Sequence, residues 1–563
     1  MPKVRKSLGE SLVEEGVITL DQLKQAQEEE KRTGLRLRKV IVKMGLVDEE
    51  DLVNFLSSKI EMPRIELANT LIDPKITELI PEALARKYEV IPILKIGNRL
   101  TCAMTDPWNV FALDELRMKT QMTIEPAVAT ESEIKRALDE HYGAKGTMEE
   151  IIHAIEQQKL DLPVGKELDL KKLEGIVKEP IVIKLVNLMT MQALKERASD
   201  IHIEPEADKL KIRFRVDGML HEIPSPPKHL QSAVVSRIKI MANLDIAERR
   251  VPQDGRFNIR MEGKEIDVRV SCVPTIHGEN VVMRLLDVSD ALLGLDQLGF
   301  SKNVLERYQK LIVRPYGIVL VTGPTGSGKT TTLYASLSQI NSVEKNILTI
   351  EDPVEYRLVG IRQTQINPNV NLTFANALRS FLRQDPNIIM VGEIRDRETA
   401  EMAIQAALTG HLVFSTLHTN DSAGAIARLS EMGAEPFLIA SSVIGVLAQR
   451  LVRATCKECC EEYSPSPETL SDIGVTEKGS WKFFRGKGCK KCMNTGYRGR
   501  TSIFELLIPD DKIKNLTVSK AAVGEIRKYS RSQGMITLKE NGIEKIKAGI
   551  TTVEEVLRVT EEE

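Results

Sequence analysis

The sequence lacks the features that mark membrane, secreted and nucleic-acid-binding proteins. The uncharged, largely apolar stretch at residues 436–449 has 14 residues, whereas a helix that crosses a bilayer needs about 20 apolar residues. No apolar run lies near the first residue, so no secretory signal is expected. Aromatic residues make up 4%, and 78 basic against 80 acidic residues give a net charge of −2. Nucleic-acid-binding proteins usually carry a basic excess, so we expect no nucleic-acid partner.

Cysteine is scarce, and its placement is uneven. Five of the seven cysteines lie between Cys456 and Cys492. Such clustering is typical of metal binding in a reducing compartment rather than of a disulfide framework. We therefore expect a cytoplasmic protein, and its 563 residues suffice for about four domains.

The first 60 residues contain an internal repeat with an offset of 29 residues. Each copy predicts a helix that a glycine ends, Gly16 or Gly45, and a second helix opened by Thr19 or Asp48. Two such units can bury each other's apolar faces, so residues 1–60 predict a tandem helical repeat module. The matching positions are Leu8, Leu12, Val13, Gly16, Val17, Ile18 and Leu23 in the first copy and Leu37, Ile41, Val42, Gly45, Leu46, Val47 and Leu52 in the second.

Changes in composition divide the rest of the chain. The alternation of strands and helices in its last part predicts a parallel sheet covered by helices. The predicted segments are a small α/β domain at 61–142, a linker at 143–174, a second α/β domain at 175–290, a hinge at 291–305 that contains Gly294 and Gly299, and a last α/β domain at 306–563.

A phosphate-binding loop lies near the start of the last segment. An apolar strand at 316–322 precedes GPTGSGKT at 323–330, and a helical run follows. Glycines let backbone N–H groups wrap phosphates, and the helix N-terminus adds partial positive charge. Lys329 is expected to reach the β- and γ-phosphates and Thr330 to ligate Mg²⁺, so ATP and Mg²⁺ are the expected cofactors. The predicted nucleotide-binding residues are Gly323, Pro324, Thr325, Gly326, Ser327, Gly328, Lys329, Thr330 and Thr331.

Two further strands end in carboxylates, in TIEDPVE at 349–355 and IIMVGEIRD at 388–396. Acids at strand ends lie at the rim of an α/β sheet, where its ligands bind. One carboxylate can orient water and another can hold Mg²⁺. A later strand is bracketed by His411 and His418, which could sense the γ-phosphate or position the acids, or could be structural.

The cysteine cluster contains two C-x-x-C knuckles with 29 residues between them. Four thiolates in this arrangement favour a closed, tetrahedral zinc site. We predict a zinc-binding insertion at 454–500, with Cys460 left unligated. The predicted ligands are Cys456, Cys459, Cys489 and Cys492.

The motifs GPTGSGKT, TIEDPVE, IIMVGEIRD and GHLVFSTLHT, in this order and spacing, resemble the Walker A, Asp, Walker B and His boxes of the type II secretion and type IV pilus ATPase superfamily. The knuckles and RFRVDG at 213–218 resemble its pilus extension and secretion branch. The resemblance implies a RecA-like P-loop domain in a hexameric ring on the cytoplasmic face of the inner membrane. It also implies a motor that drives pilus assembly through a membrane platform protein and associated cytoplasmic pilus proteins.

The resemblance also implies roles for individual residues. Glu355 matches the family's water-activating glutamate and Glu393 its Walker B glutamate. Arg269 and Arg284, in EIDVRV and VVMRLL, match arginines that reach the γ-phosphate from the preceding domain; surface ion pairs are the alternative.

The N-terminal repeats resemble the cyclic-di-GMP-binding modules of some relatives. Ser7, Glu30, Arg38 and Lys59 depart from that motif at ligand-facing positions. Cyclic-di-GMP is therefore a candidate ligand, and a module that docks a partner protein is the alternative.

Three other functions compete with pilus extension. The motor of a type II secretion system shares all four boxes. A P-loop nucleic-acid translocase would need a basic, aromatic-bearing channel, which the composition disfavours. A non-catalytic nucleotide sensor is disfavoured because Lys329, Glu355 and Glu393 are all present.

Overall fold

A computed structural model describes residues 8–33, 37–60, 62–67, 70–107, 109–142, 180–287, 293–473 and 481–560. The chain forms two compact units, Met1–Asp287 and Val288–Glu563. The predicted linker at 143–174 lies outside the described residues. Among the described residues, no helix is long and apolar enough to span a membrane.

The N-terminal repeat folds into four helices, as its pattern predicts. Gly16 and Gly45 have φ angles of 71° and 65°, the left-handed conformation that ends a helix most readily at glycine. Leu12 and Ile41, equivalent in the two copies, are fully buried in one core, to which Val128 of the next domain contributes. The helices are α1 (Leu8–Glu14), α2 (Leu20–Thr33), α3 (Leu37–Lys43) and α4 (Glu49–Ile60).

A small α/β domain follows the repeats. Its three strands lie in the order β2-β3-β4, with β2 and β3 antiparallel and β3 and β4 parallel. The preceding short strand β1 leaves this domain and pairs with β8 of the next sheet. The predicted boundary between 61–142 and 175–290 is therefore crossed by a strand. The elements are β1 (Thr70–Leu71), α5 (Pro74–Thr77), α6 (Glu82–Tyr88), β2 (Val90–Ile96), β3 (Arg99–Met104), α7 (Val110–Thr120), β4 (Thr123–Val128) and α8 (Glu131–Tyr142).

The rest of the first unit is a seven-stranded sheet in the order β1-β8-β9-β10-β5-β6-β7. Alternate residues of its strands are apolar and buried, whereas the residues between them are polar, the pattern of a sheet with one face on a core. The elements are α9 (Pro180–Lys195), β5 (Ala198–Pro205), β6 (Leu210–Val216), β7 (Met219–Ile223), α10 (Gln231–Met241), β8 (Gln253–Met261), β9 (Lys264–Thr275) and β10 (Gly278–Asp287).

The second unit has a mixed seven-stranded sheet in the order β13-β12-β14-β15-β11-β16-β19. The first six strands are parallel and β19 is antiparallel to β16. Two apolar cores contain side chains from the sheet and from its helices, so the predicted covered parallel sheet is confirmed. Its elements up to β16 are α11 (Lys302–Ile312), β11 (Gly317–Thr322), α12 (Lys329–Ile340), β12 (Ile347–Glu351), β13 (Arg362–Gln365), α13 (Phe374–Phe381), β14 (Ile388–Val391), α14 (Arg397–Leu408), β15 (Leu412–Leu417), α15 (Ser422–Glu431), α16 (Pro436–Ser442) and β16 (Val443–Thr455).

The cysteine-rich excursion leaves the sheet after β16 and returns at β19. Phe483 and Ile473 of the excursion are buried against Val553 and Val556 of the last helix, so it shares a core with the C-terminal helices. The elements are β17 (Cys460–Tyr463), α17 (Pro467–Asp472), β18 (Phe483–Gly486), β19 (Tyr497–Leu507), α18 (Asp511–Val518), α19 (Val523–Ser532), α20 (Leu538–Lys547) and α21 (Val553–Thr560).

Most of the segment predicted as a hinge, 291–305, belongs to the core of the second unit. Leu295 and Leu298 are 2% and 7% exposed in the same cluster as Phe504. The Phe300 ring stacks on Phe504 with centroids 3.7 Å apart. The hinge prediction is therefore too long, because apolar side chains spaced along it bind it to the sheet.

Truncating Leu298 should destabilise the second unit. Removing a buried leucine side chain typically costs about 2–5 kcal/mol, so Leu298→Ala should lower the urea midpoint of this unit. Leu293→Ala is the matched control, because Leu293 is 41% exposed. Equal midpoints for the two variants would show that Leu298 does not stabilise this unit, and would support the longer hinge that the sequence predicts.

Candidate nucleotide site

The phosphate-binding loop joins the end of β11 to the start of α12. Gly323, Gly326 and Gly328 have φ angles of 151°, 78° and 87°, which are costly for other residues. A Cβ atom at Gly323 would lie 2.5 Å from the backbone oxygen of Gln449. Conformation therefore favours glycine at all three positions, and space also requires it at Gly323.

Gln449 of β16 fixes the start of α12. Its Oε1 accepts a hydrogen bond from the Thr332 hydroxyl at 2.7 Å, and its Nε2 lies 3.2 Å from the Ser502 hydroxyl. Gln449 is 1% exposed. The sequence analysis missed it, because only the register of β16 against β11 brings it beside the loop.

The loop has the properties of an anion cradle. Lys329 donates to the backbone oxygens of Gly323 and Pro324 at 2.8 and 3.1 Å. Burial lowers the pKa of Lys329 to about 8, with Arg450 acting in the same direction and Glu393 opposing it. The buried Ser327 hydroxyl has no hydrogen-bond partner among the described residues. A cationic side chain, an unsatisfied hydroxyl donor and a glycine-rich loop at a helix N-terminus fit a bound phosphate group. Thr330 and Thr331 follow Lys329 in the first turn of α12 and are half-buried.

Glu393 and His418 lie together beside this loop. Glu393 follows β14 and His418 follows β15, which is the neighbouring parallel strand. His418 Nε2 lies 3.1 Å from Glu393 Oε2, and Arg395 forms an ion pair with the other carboxylate oxygen. The Glu393 side chain is 13% exposed. His418 and Arg395 therefore hold a largely buried carboxylate at the sheet's edge.

His411 is not part of this site. It precedes β15, and its Nδ1 lies 2.9 Å from the backbone oxygen of Ala406 at the end of α14. The six residues of β15 separate it from His418 by about 20 Å at ~3.3 Å per residue. Because β15 is parallel to β11, His411 lies at the edge away from the phosphate loop, which contradicts its predicted catalytic role.

The acidic motif after β12 contains two glutamates in different surroundings. Glu351 is 3% exposed and accepts hydrogen bonds from the hydroxyls of Tyr334 and Thr349. Glu355 is half-buried, and its backbone N–H lies 3.4 Å from the Tyr334 hydroxyl oxygen. Glu355 is therefore the more accessible of the two.

Arg450 is a second residue that the sequence analysis missed. It follows Gln449 on β16 and is 8% exposed. Its Nη2 donates to the backbone oxygen of Asn420 at 2.9 Å, and a Cβ at Gly323 would lie 3.1 Å from its Nη1. It places a positive charge beside the loop and ties the segment after His418 to β16.

The first unit carries its own basic cluster. Arg269 and Arg284 are paired residues of β9 and β10, and Arg256 of β8 pairs with Arg269. Arg284 Nε donates to Asp200 at 2.9 Å, and Arg215 lies on the other side of Asp200. The sheet register thus aligns four arginines and one aspartate in a row. The sequence predicted a role for two of these arginines, Arg269 and Arg284.

The four knuckle cysteines converge on one point. All four sulfurs lie within 4.8 Å of one another, and neighbouring sulfurs are 3.7–3.9 Å apart. A tetrahedral ion at about 2.3 Å from each thiolate requires sulfurs about 3.8 Å apart. Cys460, by contrast, is exposed on β17. The four cysteines therefore fit a metal such as zinc.

Two family models match the chain. Residues 176–558 match the type II/IV secretion system protein family, and residues 60–148 match the MshEN domain. The first match includes the arginine row, the phosphate loop and the four cysteines.

Relatives resemble the chain over its whole length. It is 46% identical over 558 residues to the type IV pilus assembly ATPase PilB of Myxococcus xanthus, with 98% of each chain covered. It is 43% identical over 562 residues to the type II secretion system protein E of Xanthomonas campestris, again with 98% of each covered. The fold is also similar to that of the ATPase DotB of Legionella pneumophila, with a TM-score of 0.51 at 22% identity over 67% of this chain and 95% of that one.

The two histidines should differ in their effect on ATP hydrolysis. His418→Ala removes a partner of Glu393, so we expect turnover to fall by about tenfold to a hundredfold, since a misplaced catalytic group can cost about a hundredfold. His411→Ala is the control and should leave turnover within about twofold, because His411 lies about 20 Å away. Steady-state hydrolysis by the full chain measures both, and an equal loss in the two variants would contradict the assignment.

Proposed function

The chain belongs to the type II/IV secretion system protein family, and from this membership we propose that it is the motor ATPase of type IV pilus assembly. The observation that carries the proposal is the 46% identity to a pilus assembly ATPase across 98% of both chains. In this proposal the chain works as a cytoplasmic hexamer at the inner membrane. ATP hydrolysis acts on a membrane platform protein and associated cytoplasmic pilus proteins.

The proposed chemistry assigns a task to each residue near the loop. Lys329 and the backbone of the loop bind the β- and γ-phosphates. Mg²⁺, when bound through the Thr330 hydroxyl, would neutralise charge on those phosphates. Glu355 activates the attacking water, and Glu393, held by His418 and Arg395, would help to hold Mg²⁺ at the site.

Arg269 and Arg284 are proposed to stabilise charge on the γ-phosphate. Asp200 pairs with Arg215 and Arg284, and Asp267 pairs with Arg269. Two aspartates thus offset part of the charge of the four arginines, and the excess positive charge attracts an anion. Guanidinium groups suit phosphate oxygens because of their planar, bidentate donors.

A type II secretion motor is the second candidate. It is favoured by the 43% identity to a type II secretion protein E over the same length. Both candidates use the same site, so cargo rather than chemistry separates them.

Co-purification separates the two motors. The tagged full chain, isolated from native membranes after mild cross-linking, should bring down pilus assembly proteins, identified by mass spectrometry. A Lys329→Ala chain is the control for dependence on nucleotide binding. Recovery of secretion-system proteins without pilus proteins would replace the proposal with the second candidate.

We further propose that the cysteine site holds structural Zn²⁺. Four thiolates leave no open position for a substrate, and four-coordinate thiolate sites are closed structural sites. The metal would fix the base of the excursion where it leaves β16 and returns to β19.

Zinc analysis tests this assignment. We expect about one zinc ion per purified chain, and Cys489→Ser should lose it. Cys460→Ser is the matched control and should keep it, because Cys460 is exposed and outside the cluster. Equal zinc contents in the two variants, or none in the wild type, would overturn the site.

A further inference from the structure

A buried tyrosine connects the phosphate-loop helix to the acidic motif. Tyr334 lies on α12, five residues after Lys329, and is fully buried. Its hydroxyl donates to Oε2 of Glu351, which is 3% exposed at the end of β12. Glu351 thus receives a hydrogen bond from the helix that begins at the phosphate loop.

The same hydroxyl also contacts the proposed base. The backbone N–H of Glu355 lies 3.4 Å from the Tyr334 oxygen. A continuous series of hydrogen bonds therefore runs from the Glu355 backbone through Tyr334 to Glu351.

Neighbouring groups hold this series in one geometry. The Nε2 atom of Gln363, on β13, donates to Glu351 Oε1 at 3.2 Å and to the backbone oxygen of Tyr356 at 3.1 Å. The Tyr356 ring packs edge-on against Tyr334, with centroids 4.5 Å apart and an interplanar angle of 85°. The segment that carries Glu355 is thus attached to a helix and to two strands.

Neither Tyr334 nor Glu351 can act on substrate directly. Both are buried, and their polar atoms are occupied by one another and by Thr349 and Gln363. Burial raises the pKa of both side chains, which suits groups that hold a hydrogen bond rather than exchange protons with solvent.

We propose that Tyr334 and Glu351 are positioning residues, which fix the backbone of Glu355 relative to the phosphate loop. The proposal rests on the proposed role of Glu355 as the water-activating base. Because Tyr334 and Lys329 share one helix, the base and the phosphates take their positions from the same rigid element. A small displacement of a catalytic group can cost about a hundredfold in rate, so this attachment bears on turnover rather than on ATP binding.

Removing one hydroxyl tests the proposal. Tyr334→Phe should lower kcat by about tenfold to a hundredfold while KM for ATP changes by less than about threefold. Tyr308→Phe is the matched control: Tyr308 is also fully buried, and its hydroxyl bonds Ser336 of the same helix at 2.9 Å. It should keep kcat within about twofold. Equal losses in the two variants would reduce Tyr334 to a packing residue and overturn the proposal.

Variants of Glu351 separate positioning from chemistry. Glu351→Gln keeps an oxygen that can accept from Tyr334, so most of the rate should be retained, whereas Glu351→Ala should match Tyr334→Phe. A Glu351→Gln chain that is as inactive as Glu355→Gln would make Glu351 a reactive group and end the proposal. If Tyr334→Phe fails to fold, as judged by its melting temperature, the kcat values of Glu351→Gln and Glu351→Ala test the proposal in its place.

Glu355→Gln distinguishes failure of this proposal from failure of the proposed base. It should bind ATP normally and lose at least about a hundredfold in kcat. Adding Tyr334→Phe to it should cause little further loss, because both changes act on one group. A Glu355→Gln chain with normal turnover would refute the base itself, whereas normal turnover in Tyr334→Phe alone would refute only the positioning.

Discussion

The parallel pairing of β11 with β15 and β16 is the constraint on which the site depends. Thr322, the last residue of β11, is paired with Leu417 on one side and Ala448 on the other. His418 and Gln449, the next residues of those strands, therefore flank the phosphate loop. The Thr322 hydroxyl also bonds the Thr419 hydroxyl at 2.7 Å. A shift of either strand by one residue would turn these side chains to the other face of the sheet.

The sequence could predict those parts of the site whose binding residues are close together in the chain. Gly323 to Thr330 are contiguous in the chain, and each cysteine knuckle is four residues long, so their spacing alone indicates what they bind. Gln449, Arg450 and Tyr334 have no such local signal. The first two reach the loop through strand register, and Tyr334 reaches Glu351 through the packing of α12 on β12. The predicted catalytic role of His411 is wrong because strand β15 lies between the two histidines and places them at opposite edges of the sheet. The motif gives their spacing in the chain but not this separation in space.

The fold likewise has parts that the sequence could predict and parts that it could not. The helical repeat could be predicted because its apolar positions recur in the sequence and then share one core. The predicted hinge is too long because Gly294 and Gly299 indicate flexibility, whereas Leu295 and Leu298 between them pack in the same core as Phe504. The two-residue strand β1 could not be predicted, since its partner β8 lies about 190 residues away in the chain and a strand this short has no periodicity.

Three glutamates at the carboxyl ends of β12 and β14 show how surroundings assign roles to one residue type. Glu351 is enclosed, and its oxygens are occupied by two hydroxyls and an amide, so it can serve as an anchor. Glu393 lies between His418 and Arg395 and beside Lys329, where a carboxylate can order cations or water. Glu355 is half-buried, and its backbone N–H lies 3.4 Å from the Tyr334 hydroxyl that also contacts the anchor. The motif TIEDPVE places Glu351 and Glu355 four residues apart, so a short segment connects the anchored end of β12 to the backbone that carries the proposed base.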